Sequence, residues 1–305
     1  MATPAGAAPR VLPLPDAALL ARLERLALLL RRPLQGRAAG ERRSTRPGRS
    51  MEFADHRPYG AGDDLRYVDW NVYARTGRLY VKRFVDDEEL CLHLLVDASS
   101  SMDWGEPSKF AAACALAAAL GFLGLSGAER VGAALLRAGA GDTWTPGRGR
   151  ARIPGLFDFL GRAAPGGDTA LDAALAAYAR GVRGGGVAVL ISDLLDPAGC
   201  EAGLDALAAR GLEVHLVHLL APQELDPDSA RSLEGELRLV DQETGATRHV
   251  SVDSQARAAY RRELDAFLAR TEALCLRRGW SYTRVASDAP LEQVLFERLR
   301  GTLLK

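Results

Sequence analysis

Leu90-Cys91-Leu92-His93-Leu94-Leu95-Val96-Asp97-Ala98-Ser99-Ser100-Ser101-Met102 passes within one short stretch from an apolar run to an acid followed by hydroxyls. The first half, Leu90–Val96, reads as a strand buried on both faces, since it has no regular polar alternation to turn toward water. The second half is the loop by which such a strand would leave its sheet. Outward from this stretch, strand and helix patterns alternate. Phe110–Leu125 reads as a helix, Arg130–Leu136 as a strand, and Asp168–Arg180 as a helix opened by an acidic cap. Val187–Ser192, after Gly184-Gly185-Gly186, is a strand; Pro197–Arg210 is a helix and Leu212–Leu220 a strand. Glu236–Val240 and Thr247–Val252, parted by Gln242–Gly245, form a hairpin pattern. A long helix over Ser254–Arg278, a strand over Trp280–Val285 and a helix over Leu291–Leu303 complete the series. This alternation predicts an α/β fold, with a mainly parallel sheet covered by helices on both faces.

Composition narrows the function classes. The 305 residues balance 39 Lys+Arg against 39 Asp+Glu, and 48% are hydrophobic, enough for a sizeable core and unlike a disordered or collagen-like chain. Cys91, Cys114, Cys200 and Cys275 lie far apart, with no C-x-x-C pair. That argues against a disulfide scaffold or a cysteine zinc site and for a reducing compartment. Phe110–Ala128 carries no charge, but it is mostly Ala and Gly and closes on Gly124-Leu125-Ser126-Gly127-Ala128, so it reads as a buried helix rather than a membrane span. Ala17–Leu30 is interrupted by Arg22, Glu24 and Arg25 and is no signal-peptide core. The expectation is a cytoplasmic protein without an integral membrane segment.

Charge is unevenly spread. Residues 1–50 hold ten arginines against Asp16, Glu24 and Glu41. Asp16 is placed to cap a helix whose Leu19, Leu23, Leu26 and Leu30 share one face. Arg31–Arg49 then reads as an extended Gly/Arg-rich segment without interleaved aromatics, so it offers bases nothing to stack on, and nucleic acid is not an expected partner. Asp63–Arg75 has a helical pattern, with Asp69 paired to Arg66 or Arg75. His215 and His218 stand three apart on a strand and so face opposite ways, which excludes a shared zinc ion.

The chemistry concentrates at the loop after Leu90–Val96. In an open parallel sheet that loop lies at the carboxyl edge, where ligands bind at a topological switch point. It offers the Asp97 carboxylate and the alternating hydroxyls of Ser99 and Ser101. Gly166-Gly167-Asp168-Thr169 presents a further hydroxyl, and Asp193 follows the strand Val187–Ser192 at the same edge. Asp97, Ser99, Ser101, Thr169 and Asp193 form an oxygen-only set suited to a hard cation, Mg²⁺ in the first place and Mn²⁺ or Ca²⁺ as alternatives.

These residues resemble the metal-ion-dependent adhesion site of von Willebrand factor A domains. Upstream, Glu52-Phe53, Arg57-Pro58-Tyr59, Gly62-Asp63-Asp64-Leu65-Arg66, Asp69-Trp70 and Ala74-Arg75 resemble the segment preceding such a domain in the bacterial domain-of-unknown-function family fifty-eight. The resemblance implies a Rossmann-like sheet of about six strands. It divides the chain into residues 1–88, with the helix, the basic segment and the family block, and residues 89–305, the A-like domain with a hairpin insertion near 234–253. It also implies that the serines and the threonine bind the metal directly, that one or both of Asp97 and Asp193 act through water, and that a protein partner's Asp or Glu completes the shell. The implied partner is a MoxR-type AAA+ ATPase, with this protein as adaptor or co-chaperone rather than enzyme. One departure is Leu194, where A domains commonly have Gly after the last Asp.

The enzymatic alternative is metal-assisted phosphoryl transfer or hydrolysis at this edge, with Asp103, Asp168 and Asp196 as candidate acids or bases. No G-x-S-x-G, P-loop or H-E-x-x-H motif is present, and Ser99 stands where an Asp-based phosphatase has its second acid.

Overall fold

The computed structural model describes residues 14–29, 51–60, 62–86, 90–138, 141–226, 235–240 and 246–303. The chain divides into two compact units, Pro33–Glu89 and Met1–Arg32 together with Leu90–Lys305. The arginine-rich segment 31–49 lies outside the described residues.

The smaller unit pairs β1 (Met51–Pro58) antiparallel with β2 (Tyr80–Asp86). Between them the pattern read as one helix is split. A 3-10 turn at Leu65–Tyr67 is followed by extended backbone at Val68, and α2 (Trp70–Thr76) then begins. Asp69 causes the restart. Its carboxylate accepts from the N–H groups of Asn71 and Val72, satisfying donors that a helix start leaves open. Its other oxygen meets His56 Nε2 at 2.9 Å, while Arg66 grips Asp64 at 2.6 Å.

The larger unit is built on six strands. These are β3 (Cys91–Asp97), β4 (Arg130–Leu136), β5 (Thr143–Arg148), β6 (Gly186–Ser192), β7 (Leu212–Leu220) and β10 (Ser281–Ala286). Their order is β10-β7-β6-β3-β4-β5, all parallel except the edge strand β5. Strands β8 (Gly235–Val240) and β9 (Thr247–Val252) form the separate hairpin expected from the sequence. Side chains alternate cleanly between two cores. Leu94, Val96, Val131, Val189, Ile191 and Leu219 face one side, with α3 (Lys109–Ser126) and α4 (Ile153–Gly161). Leu95, Ala134, Leu136, Leu190 and Leu216 face the other, with α5 (Leu171–Gly181) and α6 (Glu201–Ala208). The chain is thus α/β, with a mostly parallel six-stranded sheet flanked by helices.

Helix α3 is apolar on all sides because it is enclosed: 14 of its 18 residues are buried. By length and composition alone it is the one helix among the described residues that could cross a membrane. Its contact with α4 is close enough that a Cβ on Gly121 would lie 2.2 Å from Leu156 Cδ2. Helix α1 (Ala17–Leu29), capped by Asp16 Oδ1 on the Leu19 N–H at 2.7 Å, packs here too, with Leu23 fully buried. This helix, expected within residues 1–88, belongs to the larger unit.

Three further elements depart from the sequence pattern. β5, half-exposed and containing Pro146 and Gly147, lacks a buried strand's signature. Helix α5 starts at Leu171 and not Asp168: Gly167 turns the chain at φ +84°, and Ala170, at φ −152° and ψ 58°, is still outside helical geometry. The C-terminal helix stops after α9 (Leu291–Gln293) and becomes a π-helical turn at Val294–Arg298. Between β9 and β10 runs α8 (Ser254–Arg278), and after β7 the single turn α7 (Pro222–Leu225).

Candidate functional site

Strand order places a switch point between β3 and β6. The chain leaves β3 through α3 toward β4 on one side, and leaves β6 through α6 toward β7 on the other. The two departing loops open a crevice at the carboxyl edge. Asp97 ends β3, and Asp193 directly follows Ser192, the last residue of β6, in that crevice.

Asp97 is fully buried. Oδ1 accepts from the Ser99 N–H at 2.9 Å and Oδ2 from the Ser192 hydroxyl at 2.6 Å. Burial, with the Asp193 charge nearby, pushes its carboxyl up to about 6, although the serine hydrogen bonds pull the other way. The bond to Ser99 curls the loop so that Ser99 Oγ and Ser101 Oγ lie 3.0 Å apart. The Thr169 segment is tied onto the same loop. The Ser100 N–H and hydroxyl both donate to the Gly167 carbonyl, at 3.1 and 3.0 Å. The Gly166 N–H donates to the Ala98 carbonyl at 2.8 Å, and Ala138 N–H to the Asp168 carbonyl at 3.1 Å. Thr169 itself is half-buried and lies between these anchors and Leu171, whose N–H is held by Asp196 Oδ2 at 2.8 Å.

Asp193, on the expected edge and also fully buried, is engaged differently. Its Oδ2 accepts from Lys109 Nζ at 2.7 Å, and its Oδ1 from the Leu195 N–H at 3.1 Å. Lys109, 1% exposed, also reaches Glu224 Oε1 at 2.6 Å. Glu224 Oε2 in turn accepts from the Ala221 N–H at 2.7 Å. Burial alone would drag the lysine down, but the charges and hydrogen bonds of Asp193 and Glu224 outweigh it and hold the ammonium above its ordinary range. His218 Nε2 sits 2.9 Å from the Asp193 carbonyl, and Nδ1 2.8 Å from the Tyr282 hydroxyl. Leu194, directly after Asp193, takes φ +56° while its side chain is buried, so the loop makes a left-handed turn despite the Cβ.

The sequence reading named Asp97, Ser99, Ser101, Thr169 and Asp193 but missed Ser192, Lys109 and Glu224. Lys109 did leave a signal: it is the lone charge at the head of a long uncharged helix. Asp196, a candidate acid or base, spends Oδ2 on Leu171 and Oδ1 on the Ala198 N–H at 2.8 Å and acts as a loop-to-helix tie. The four cysteines are free and buried, with burial pushing their thiols up to about 11 at Cys91 and Cys275 and about 12 at Cys114 and Cys200. Those thiols are inert as nucleophiles at neutral pH. His215 and His218 point apart, the first to Glu213 at 3.2 Å. Among the described residues no group of three or more His, Cys, Asp or Glu forms a metal cage. A cation here would depend on hydroxyls.

The molecule is therefore an α/β protein with a buried acid-and-serine site at the switch point of a mostly parallel sheet. It belongs to the family described as Protein of unknown function DUF58, whose model matches residues 55–268. The uncharacterized protein Mb1516 of Mycobacterium bovis and the uncharacterized protein Rv1480 of Mycobacterium tuberculosis are each 36% identical to it over 254 residues. Each match covers 81% of this chain and 78% of the relative. Among solved structures, an aerotolerance-related membrane protein from Bacteroides fragilis NCTC 9343 aligns at 17% identity with a TM-score of 0.41. That alignment covers 68% of this chain and 96% of the other.

Proposed function

We propose that the larger unit is a von Willebrand factor A-like interaction module whose carboxyl edge holds Mg²⁺ and through it receives a carboxylate from a protein partner. The observation that carries this reading is the Ser99–Ser101 hydroxyl pair, 3.0 Å apart beside the buried Asp97. The two hydroxyls are hydrogen-bonded to each other, and their separation also equals that of adjacent ligands around an octahedral ion bound at about 2.1 Å, which supports the pair as Mg²⁺ ligands. Asp97, Ser99, Ser101 and Thr169 would hold the ion. When bound, it supplies a positive centre that a partner's Asp or Glu neutralises better than water does.

Charge supports the same reading. Lys109, Asp193 and Glu224 together carry one net negative charge, and ionised Asp97 adds a second. That net negative charge favours a cation at this edge. Trp104 and Leu195, 42% and 45% exposed, stand on the loops that leave the site and give a partner apolar surface beside the carboxylate it offers. A MoxR-type AAA+ ATPase in the cytoplasm is the partner that the family resemblance suggests.

Titration calorimetry with Mg²⁺ tests the ion: one-site binding by wild type and none by Asp97→Ala is expected, and equal binding by both refutes it. Capture of the ATPase should fail in EDTA and with Asp97→Ala. Capture indifferent to both removes the adaptor role.

A further inference from the structure

We infer that Asp193 is the partner of Lys109 and not a metal ligand, so that the cation half of the site consists of Asp97, Ser99, Ser101 and Thr169. This rests on the metal reading above and departs from the five-residue set that the sequence pattern suggests. Both carboxylate oxygens of Asp193 have protein partners, as those of Asp97 do, but here one of the partners is a cation. Lys109 Nζ occupies Oδ2 at 2.7 Å, the Leu195 N–H occupies Oδ1 at 3.1 Å, and His218 meets its carbonyl at 2.9 Å. The Lys109 ammonium is buried with Asp193 and has Glu224 as its other carboxylate. A second cation on Asp193 would meet this fixed positive charge at close range and in low dielectric. The loop of Asp97 needs no help from Asp193 to keep its shape, since Ser99 N–H and Ser192 supply the hydrogen bonds that set it.

Lys109 is then a positioning residue. It withdraws one carboxylate from the cation and leaves two net negative charges in the cluster. It also ties the first turn of α3 to the loop after β6 and to α7.

The test is a double-mutant cycle on thermal unfolding of the full chain, combining Lys109→Met and Asp193→Asn, run in EDTA and in millimolar Mg²⁺. The expected result is strong coupling of the two positions in EDTA that persists unchanged in Mg²⁺. Additivity in EDTA, or coupling that collapses in Mg²⁺, overturns the inference. Should Lys109→Met not fold, Asp193→Asn decides alone, because Lys109 keeps Glu224. Its Mg²⁺ affinity should stay within about threefold of wild type while Asp97→Asn loses about tenfold or more. A matching tenfold loss in Asp193→Asn makes Asp193 a ligand and refutes the assignment. If wild type itself shows no Mg²⁺ response, the metal reading fails, while the EDTA coupling still reports whether Lys109 owns Asp193.

Discussion

The two carboxylates at the carboxyl edge end neighbouring strands and are equally hidden from water, yet they are compensated in opposite ways. Asp97 is held by neutral donors, the Ser192 hydroxyl and the N–H and hydroxyl of Ser99. Asp193 has an ammonium at 2.7 Å. Burying an anion beside dipoles leaves a charge deficit that an incoming proton or cation relieves, whereas burying it beside a lysine closes the account internally. The difference separates an acid held by neutral donors from one held by a lysine.

Four measurements break or sharpen that contrast. The largest effect is expected from Lys109→Met, which leaves Asp193 with no countercharge in the interior. It should cost about 3–5 kcal/mol, read as a fall in the denaturant midpoint without a change in slope. Asp97→Asn should do the reverse in EDTA. Removing a carboxylate whose folded pKa lies near 6 stabilises the metal-free protein at pH 7 by roughly 2–3 kcal/mol. The sign follows from linkage: a carboxyl raised above its unfolded 3.8 binds the proton more tightly when folded. The wild-type deficit against Asp97→Asn is therefore full above pH 6 and disappears as pH falls toward 4. His93 and His218, both lowered to about 4 by burial, lose stability over the same descent from 6.5 in wild type and variant alike, so the difference between the two curves isolates Asp97.

Next comes Ser192→Ala. It strips Asp97 Oδ2 of its donor and Leu194 N–H of its acceptor and should cost about 1–3 kcal/mol by denaturant unfolding. The smallest stability change, within about 0.5 kcal/mol, is expected for Trp104→Ala and Leu195→Ala, which remove exposed side chains. If those residues border the docking surface, partner capture should weaken in both while unfolding midpoints stay put. Loss of stability instead would make them part of the core.

Much of this was legible in the chain. Apolar runs without polar alternation announced the parallel strands, and Arg130–Leu136, Leu212–Leu220 and Ser254–Arg278 begin and end where their patterns do. An acid and alternating hydroxyls after a buried strand marked the crevice, because topology alone brings carboxyl-edge loops together. What local pattern did not carry was the edge strand β5, half-exposed and interrupted by Pro146 and Gly147, and the late start of α5, which follows a glycine turn whose hydrogen bonds come from distant segments.

By itself, then, the amino-acid order determined the layered α/β architecture, the family, and which acids stand at the sheet's carboxyl edge, since periodicity and strand ends are local properties. Only the tertiary structure decided how the two acids differ. Lys109 lies 84 positions from Asp193 and 115 from Glu224 along the chain. Ion pairing at such separations depends on which helix head the fold brings over which loop. No local pattern records that.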